Sequence, residues 1–320
     1  MTRPIRCSSW LASEFEAFVR LRRATGSDYT EGMFQLERFD RYLQEHAREP
    51  PLPPGLLFEF LESRRFRSPR SRDNVVSVLW PALGHARRHG AAVPPLPRRP
   101  PLAPRGTRVQ PPRVLSKIRI TALLKAARAL PPQNALRPAT IGTLIGLQLC
   151  TGLRIGEAVA LDVGDVDVER GLLSVRRGKF GKMRFLPLRP STVAALRLYI
   201  DDPRRPIDTT SSQPFFVSGG HRRLSKTSAY TGFRAAVQRA GIPSTERPRP
   251  HDLRHTFTVQ TVASWYATGR DIANLLPALS TYLGHVSVEH TRCYLKANAL
   301  LLEHARRLFE NRTPSLWGTP

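Results

Sequence analysis

Apolar residues recur at helical spacing along the first part of the chain, and that rhythm then stops abruptly. Trp10, Leu11, Phe15, Phe18 and Leu21 form one stripe of threes and fours, with Ser8 and Ser9 ahead of it as N-caps. Phe34, Leu36, Phe39 and Leu43 mark a second helix over 31–46, and two more are predicted over 56–61 and 71–88. Four such helices make a small bundle, a domain size that carries a binding surface more readily than a reaction centre. Between 94 and 112 the pattern is lost. Pro94, Pro95, Pro97, Pro100, Pro101, Pro104, Pro111 and Pro112 fall there among arginines. Proline lacks the N–H that a helix or a central strand requires, so this stretch runs extended as a semi-rigid spacer.

Helical periodicity returns after the spacer. Ser116 caps a helix reaching to about 130, Pro138 opens another that ends at Cys150, and Gly152 is its stop signal. A short helix over 154–161 follows. Leu172–Arg176 and Arg184–Leu188 read as two strands of a hairpin whose turn contains Gly178 and Gly181. Further helices are expected over 190–200, 226–240, 252–268, 271–283 and 298–310. The fold class is therefore mainly α with a small β-sheet (α+β). The expected division is a helical domain over 1–92, a Pro/Arg-rich linker over 93–115, a second domain over 116–310 and a flexible tail over 311–320.

Charge changes this picture from two domains to two domains with a polyanionic partner. The chain carries 50 basic and 25 acidic residues, a net +25. The excess is shared, with 20 basic against 11 acidic residues over 1–113 and 30 against 14 over 114–320. Both parts can touch phosphates, and double-stranded DNA is the natural partner. The linker fits two readings equally, a basic strap along DNA and a plain spacer. Cys7, Cys150 and Cys293 have neither disulfide nor metal spacing, which suits a reducing compartment. The longest apolar run, about 141–153, is too short to cross a bilayer, and no secretory signal opens the chain. A soluble, cytoplasmic protein is expected.

The second domain contains an ordered set of residues suited to attack on a phosphodiester. Arg154 lies in Thr151-Gly152-Leu153-Arg154-Ile155-Gly156-Glu157, and Lys179 in Gly178-Lys179-Phe180-Gly181-Lys182. His251 and Arg254 lie in His251-Asp252-Leu253-Arg254-His255, and Leu283-Gly284-His285 is followed nine residues later by Tyr294. Such a reaction needs a nucleophile, positive charge on the non-bridging oxygens, a proton for the leaving oxygen and an acceptor for the nucleophile's proton. An arginine fork grips two oxygens of one phosphate and stays charged at any working pH. Lysine with a depressed pKa can serve the leaving group, with Lys179 and Lys182 as rivals. His251 suits proton acceptance or phosphate binding, His255 a packed structural role, and His285 a hydrogen bond to the same phosphate. His251 and His255, four apart, also invite a zinc reading. Asp252 and Arg254 fill the intervening places, a cation there repels a metal, and no third ligand is evident. Glu157 and Asp252 would repel a phosphate, so both are expected to hold helices or arginines in place. No Walker-type loop occurs, and chemistry without metal or cofactor is expected.

This ordered set resembles the tyrosine recombinase (phage integrase) family. The resemblance spans about 114–310 as a catalytic domain and, by pattern alone, about 8–92 as a helical core-binding domain. It singles out Tyr294 among the seven tyrosines as nucleophile and favours Lys179 over Lys182, although Phe180 and Gly181 depart from the family's usual turn. It implies a 3′-phosphotyrosyl intermediate with no metal or other cofactor. It also implies a tetramer on two DNA sites that exchanges a C-terminal segment, for which the leucine-rich stretch 297–310 is the candidate. The spacing from His251 to His285 exceeds that of compact Xer-type members, and the surrounding sequence looks like transposon-borne integrases, which are sometimes encoded beside sister recombinases. Mobile-element integration or transposition is the expectation. Two rivals stand beside it, a catalytically silent DNA-binding relic and a type IB topoisomerase-like enzyme that relaxes DNA without strand exchange.

Overall fold

Helices form along the apolar stripes in both parts of the chain, and their ends are set by local hydrogen bonding. The computed structural model describes residues 4–26, 29–66, 68–100, 113–176, 183–205, 213–220 and 222–284. It divides into two units, 1–109 and 110–320. The first holds α1 (Ala12–Ala24), α2 (Thr30–His46), α3 (Leu56–Glu62) and α4 (Pro69–Arg88). Phe15, Phe18, Leu36, Phe39, Leu43, Phe60, Leu79 and Leu83 are buried together in its core. Leu21 and Phe34, placed in the apolar stripes by spacing, are instead exposed, because the buried arc of each helix is narrower than the stripe.

Ser8 and Ser9 do not cap α1. Its N-cap is Leu11, which makes no side-chain bond. The backbone N–H groups of Ser8 and Ser9 donate to the buried Asp40 carboxylate of α2 (2.9 and 3.0 Å), as does the Ser9 hydroxyl. Those serines tie the entry segment to α2. Helix α4 starts two residues before the expected 71, because Ser68 caps it by accepting from the Ser71 N–H. The spacer is anchored at both ends. Val93 and Leu96 pack on the first unit's core, and the Trp80 indole donates to the Pro97 carbonyl (3.1 Å). Leu115 is buried in the second unit, and its N–H donates to Thr256 Oγ1 (3.0 Å).

The second unit runs α5 (Lys117–Arg128), α6 (Arg137–Thr151), α7 (Ile155–Val159), β1 (Val166–Asp167), β2 (Leu172–Val175), β3 (Arg184–Pro187), α8 (Pro190–Ile200), α9 (Lys226–Arg239), α10 (Pro250–Ala267) and α11 (Ile272–Leu283). Ser116 caps α5 by accepting from the Arg119 N–H. The three strands form an antiparallel sheet in the order β1-β2-β3, with Leu173 opposite Leu186. At two residues, β1 is too short to leave a periodic trace in the sequence. Helix α6 is central, lying against α5, α7, α8, α9 and α10. At its end Gly152 adopts φ +66°, and a Cβ there would stand 2.6 Å from Phe257 and 2.8 Å from Leu283. This glycine therefore stops α6 and also lets α10 and α11 close over that end. The hairpin turn 177–182, the expected helix 298–310 and the tail lie outside the described residues. No helix among the described residues is long and apolar enough to cross a membrane.

Candidate active site

Arg154 sits at the N-cap of α7, directly after the turn that Gly152 makes. Its backbone N–H donates to Glu157 Oε2 (3.0 Å) and its Nη1 to Glu157 Oε1 (2.9 Å), so one carboxylate fixes both ends of the residue. Its Nη2 donates to the Gly284 carbonyl at 3.2 Å, and its side chain remains 30% exposed. Arg254, on the first turns of α10, is fully buried. Its Nη1 donates to the Gly152 carbonyl (2.8 Å) and its Nη2 to the Leu283 carbonyl (2.7 Å). Asp252 accepts the Arg249 N–H at 2.7 Å and secures the start of α10. Glu157 and Asp252 thus occupy the supporting positions expected of them.

A third arginine completes the group, and sequence reading did not single it out. Arg184, the first residue of β3, donates from Nη2 to Glu157 Oε2 (2.9 Å), from Nη1 to Glu157 Oε1 (3.3 Å) and from Nε to the Tyr282 carbonyl (2.9 Å). Tyr282, Leu283 and Gly284 are the last residues of α11 and its cap. Each of these three successive carbonyls receives a different arginine: Arg184, Arg254 and Arg154 in turn. The negative end of a helix dipole favours such cations. A sequence offers no spacing signal for this arrangement, because its partners lie up to 130 positions apart. Burial alone pushes the Glu157 carboxyl up, and the hydrogen bonds and charges of Arg184 and Arg154 outweigh that effect. The carboxyl is held below its usual range.

His251 lies close enough to feel the same cations. Desolvation holds its pKa below the ordinary histidine range, and the charges of Arg254 and Arg154 act in the same direction. The ring keeps an exposed face and is neutral at pH 7, which suits a proton acceptor. His255 packs edge-on against it (centroids 4.5 Å apart), and burial lowers its pKa to about 4. The unfolded chain therefore binds this proton first, and stability is expected to fall as pH drops from about 6.5 toward 4. His255→Gln should flatten that slope in urea titrations run between pH 7 and pH 5. An unchanged slope would assign the acid sensitivity to other groups.

The structure brings Arg154 and Arg254 onto the carbonyls at the end of α11, with His251 near enough to feel both charges. Lys179, Lys182, His285 and Tyr294 themselves lie outside the described residues. Gly284, the last residue before them, adopts φ +65°, and a Cβ on it would stand 2.9 Å from Arg184 Nη1. Gly284→Ala is expected to cost about 1–2 kcal/mol for the left-handed backbone alone. Displacement of Arg184 should add to that loss, which urea unfolding would measure. Among the described residues no group of three His, Cys, Asp or Glu side chains is placed to hold a metal ion.

The geometry matches what comparison with known proteins finds. The Phage integrase family model matches residues 113–300. Two proteins of Sinorhizobium fredii, each named as an integrase/recombinase, are similar over nearly their whole lengths. The one designated y4rB is 38% identical over 93% of this chain and 96% of its own. The other, y4rE, is 33% identical over 92% and 94%. Among solved structures, the Tn1549 transposon integrase in complex with circular intermediate DNA superposes with TM-score 0.63 at 19% identity, covering 95% of this chain and 100% of that one. That last likeness concerns the fold, while the identities over full length concern descent. A matched family domain with two arginines and a histidine gathered inside it leads to one assignment: the chain belongs to the phage integrase family of tyrosine recombinases.

Proposed function

We propose that this recombinase cleaves and rejoins DNA at specific sites through a 3′-phosphotyrosyl link on Tyr294. The Tyr294 hydroxyl attacks the scissile phosphorus, one P–O bond forms, and the bond to the 5′ oxygen breaks. Arg154, Arg254, His251 and His285 hold the phosphate oxygens. The tyrosine proton passes to His251, and Lys179 protonates the departing 5′ oxygen. A 5′ hydroxyl from a second duplex reverses the step, so the bond energy is retained and no nucleotide cofactor is consumed. The convergence of Arg154 and Arg254 on the segment leading into His285, with His251 beside both charges, carries this reading.

The helical unit within 1–92 serves as the core-binding domain and residues 116–310 as the catalytic domain. The charge of +25 supports phosphate contacts by both. The assembly is a homotetramer on two sites in the bacterial cytoplasm, with sister recombinases as possible co-workers. Mobile-element integration or transposition is the role we favour. Support comes from the near-full-length relatives named integrase/recombinase and from a transposon integrase of the same fold.

The test uses nicked duplexes with a randomised core, incubated with wild type and with Tyr294→Phe and then denatured in SDS. A wild-type adduct that yields phosphotyrosine on hydrolysis, and that the variant lacks, is expected. Tight binding without any adduct would favour the silent DNA-binding reading. Relaxation of supercoiled plasmid without strand exchange would favour the topoisomerase reading.

A further inference from the structure

Arg184 is placed differently from Arg154, the more open arginine of the cluster. Each of its three guanidinium nitrogens donates to a protein oxygen, two to Glu157 and one to the Tyr282 carbonyl, and the side chain is only 10% exposed. Whereas the Arg154 side chain stays 30% exposed, these protein partners engage all three nitrogens of the Arg184 fork. Glu157, which it grips, is the carboxylate that orients Arg154. Tyr282, whose carbonyl it holds, lies three residues before His285. Arg184 also begins β3, five residues after Lys179 in the sequence. One side chain therefore touches both the support of Arg154 and the helix end that leads toward His285.

We infer that Arg184 is a positioning residue for strand cleavage, acting through Glu157 on Arg154 and through the Tyr282 carbonyl on the segment entering His285. This rests on the recombinase reading above. The physical reason lies in geometry more than in charge. A planar fork can hold both oxygens of Glu157 and a helix-end carbonyl at once, and an ammonium cannot. Without Arg184, Glu157 keeps Arg154 as its partner but is free to rotate, and Arg154 rotates with it. A displacement on the order of 1 Å in a group that orients a phosphate can cost about 100-fold in rate.

The experiment uses the full chain and one duplex selected as an adduct former from the randomised pool. Wild type, Arg184→Gln, Arg184→Lys, Glu157→Gln and the Arg184→Gln/Glu157→Gln double variant are compared. Three quantities are measured: melting temperature, DNA affinity and single-turnover cleavage at saturating protein. Arg184→Gln is expected to bind DNA within about threefold of wild type and to cleave about 100-fold more slowly. Arg184→Lys should not restore the rate, although it keeps the charge. The double variant should cleave no more slowly than the worse single variant, because both substitutions break one connection.

A pH profile adds a readout that loss of stability would not produce. The charges facing Glu157 are Arg154 from its own helix and Arg184 from β3, while Asp162, Asp165 and Arg176 line the small cavity beside it. Removing Arg184 lets Glu157 take up a proton at higher pH, so the acid limb of cleavage should move upward in Arg184→Gln. That movement should be absent when Glu157 is also glutamine. Wild-type cleavage by Arg184→Lys would overturn the inference even if Arg184→Gln failed to fold. So would losses that simply add in the double variant, or a fall in affinity as large as the fall in rate, which would mark a phosphate contact. Absence of any adduct in wild type would instead overturn the recombinase reading itself.

Discussion

Tyr294→Phe is expected to abolish the covalent protein–DNA adduct while leaving DNA affinity within about twofold of wild type. A phenyl ring keeps the shape of the phenol, so only the oxygen that would bond to phosphorus is removed. A phenol is a weak nucleophile at neutral pH, its pKa lying near 10, and neighbouring cations are what make it useful. With the hydroxyl gone those cations remain, but nothing is left for them to activate. A loss of more than about 10⁴-fold in adduct formation is the scale set by removing a catalytic nucleophile. Affinity is spared because many phosphate contacts share it. Gel shift and SDS trapping on one duplex give both numbers. An adduct persisting in Tyr294→Phe would move the nucleophile to another of the seven tyrosines.

Arg254→Ala is expected to damage folding and chemistry together. Arg254 is wholly buried, and its Nη1 and Nη2 satisfy the carbonyls of Gly152 and Leu283. Truncation leaves both acceptors buried without these donors, at about 1–3 kcal/mol each, and opens a cavity where the side chain lay. A loss of about 4 kcal/mol from the second unit is the expected outcome by urea unfolding. Cleavage should fall by about 10³-fold or more, the scale of removing one preorganised charge from a transition state. Arg254→Lys separates the two effects. It keeps a cation but cannot span both carbonyls, so part of the stability returns and little of the rate. Full activity in Arg254→Lys would show that charge alone suffices at this position.

Much of the architecture was legible before any coordinates. The apolar stripes of α1–α4, the Ser116 cap, the Gly152 stop and the two strands of the hairpin are local signals. Each is encoded within a few residues, and the structure places elements close to those positions. Failures of local reading have tertiary causes. Ser8 and Ser9 look like caps in sequence, yet they bond to Asp40, some thirty positions away. Leu21 and Phe34 keep the helical period but face solvent, since a period does not say how wide the buried arc will be.

The sequence by itself determined the helical character of the chain, its large positive charge and the order of the residues proposed for catalysis. Those properties follow from composition, periodicity and motif, which act over short stretches of chain. Tertiary structure alone decided that Arg254 is buried while Arg154 keeps an open edge. It also decided that Arg184 joins them, and that three arginines meet three successive carbonyls at the end of α11. Those contacts join residues 29 to 130 positions apart. They exist because α6, α10, α11 and β3 pack so that a helix end must find donors for carbonyls no longer served by its own backbone.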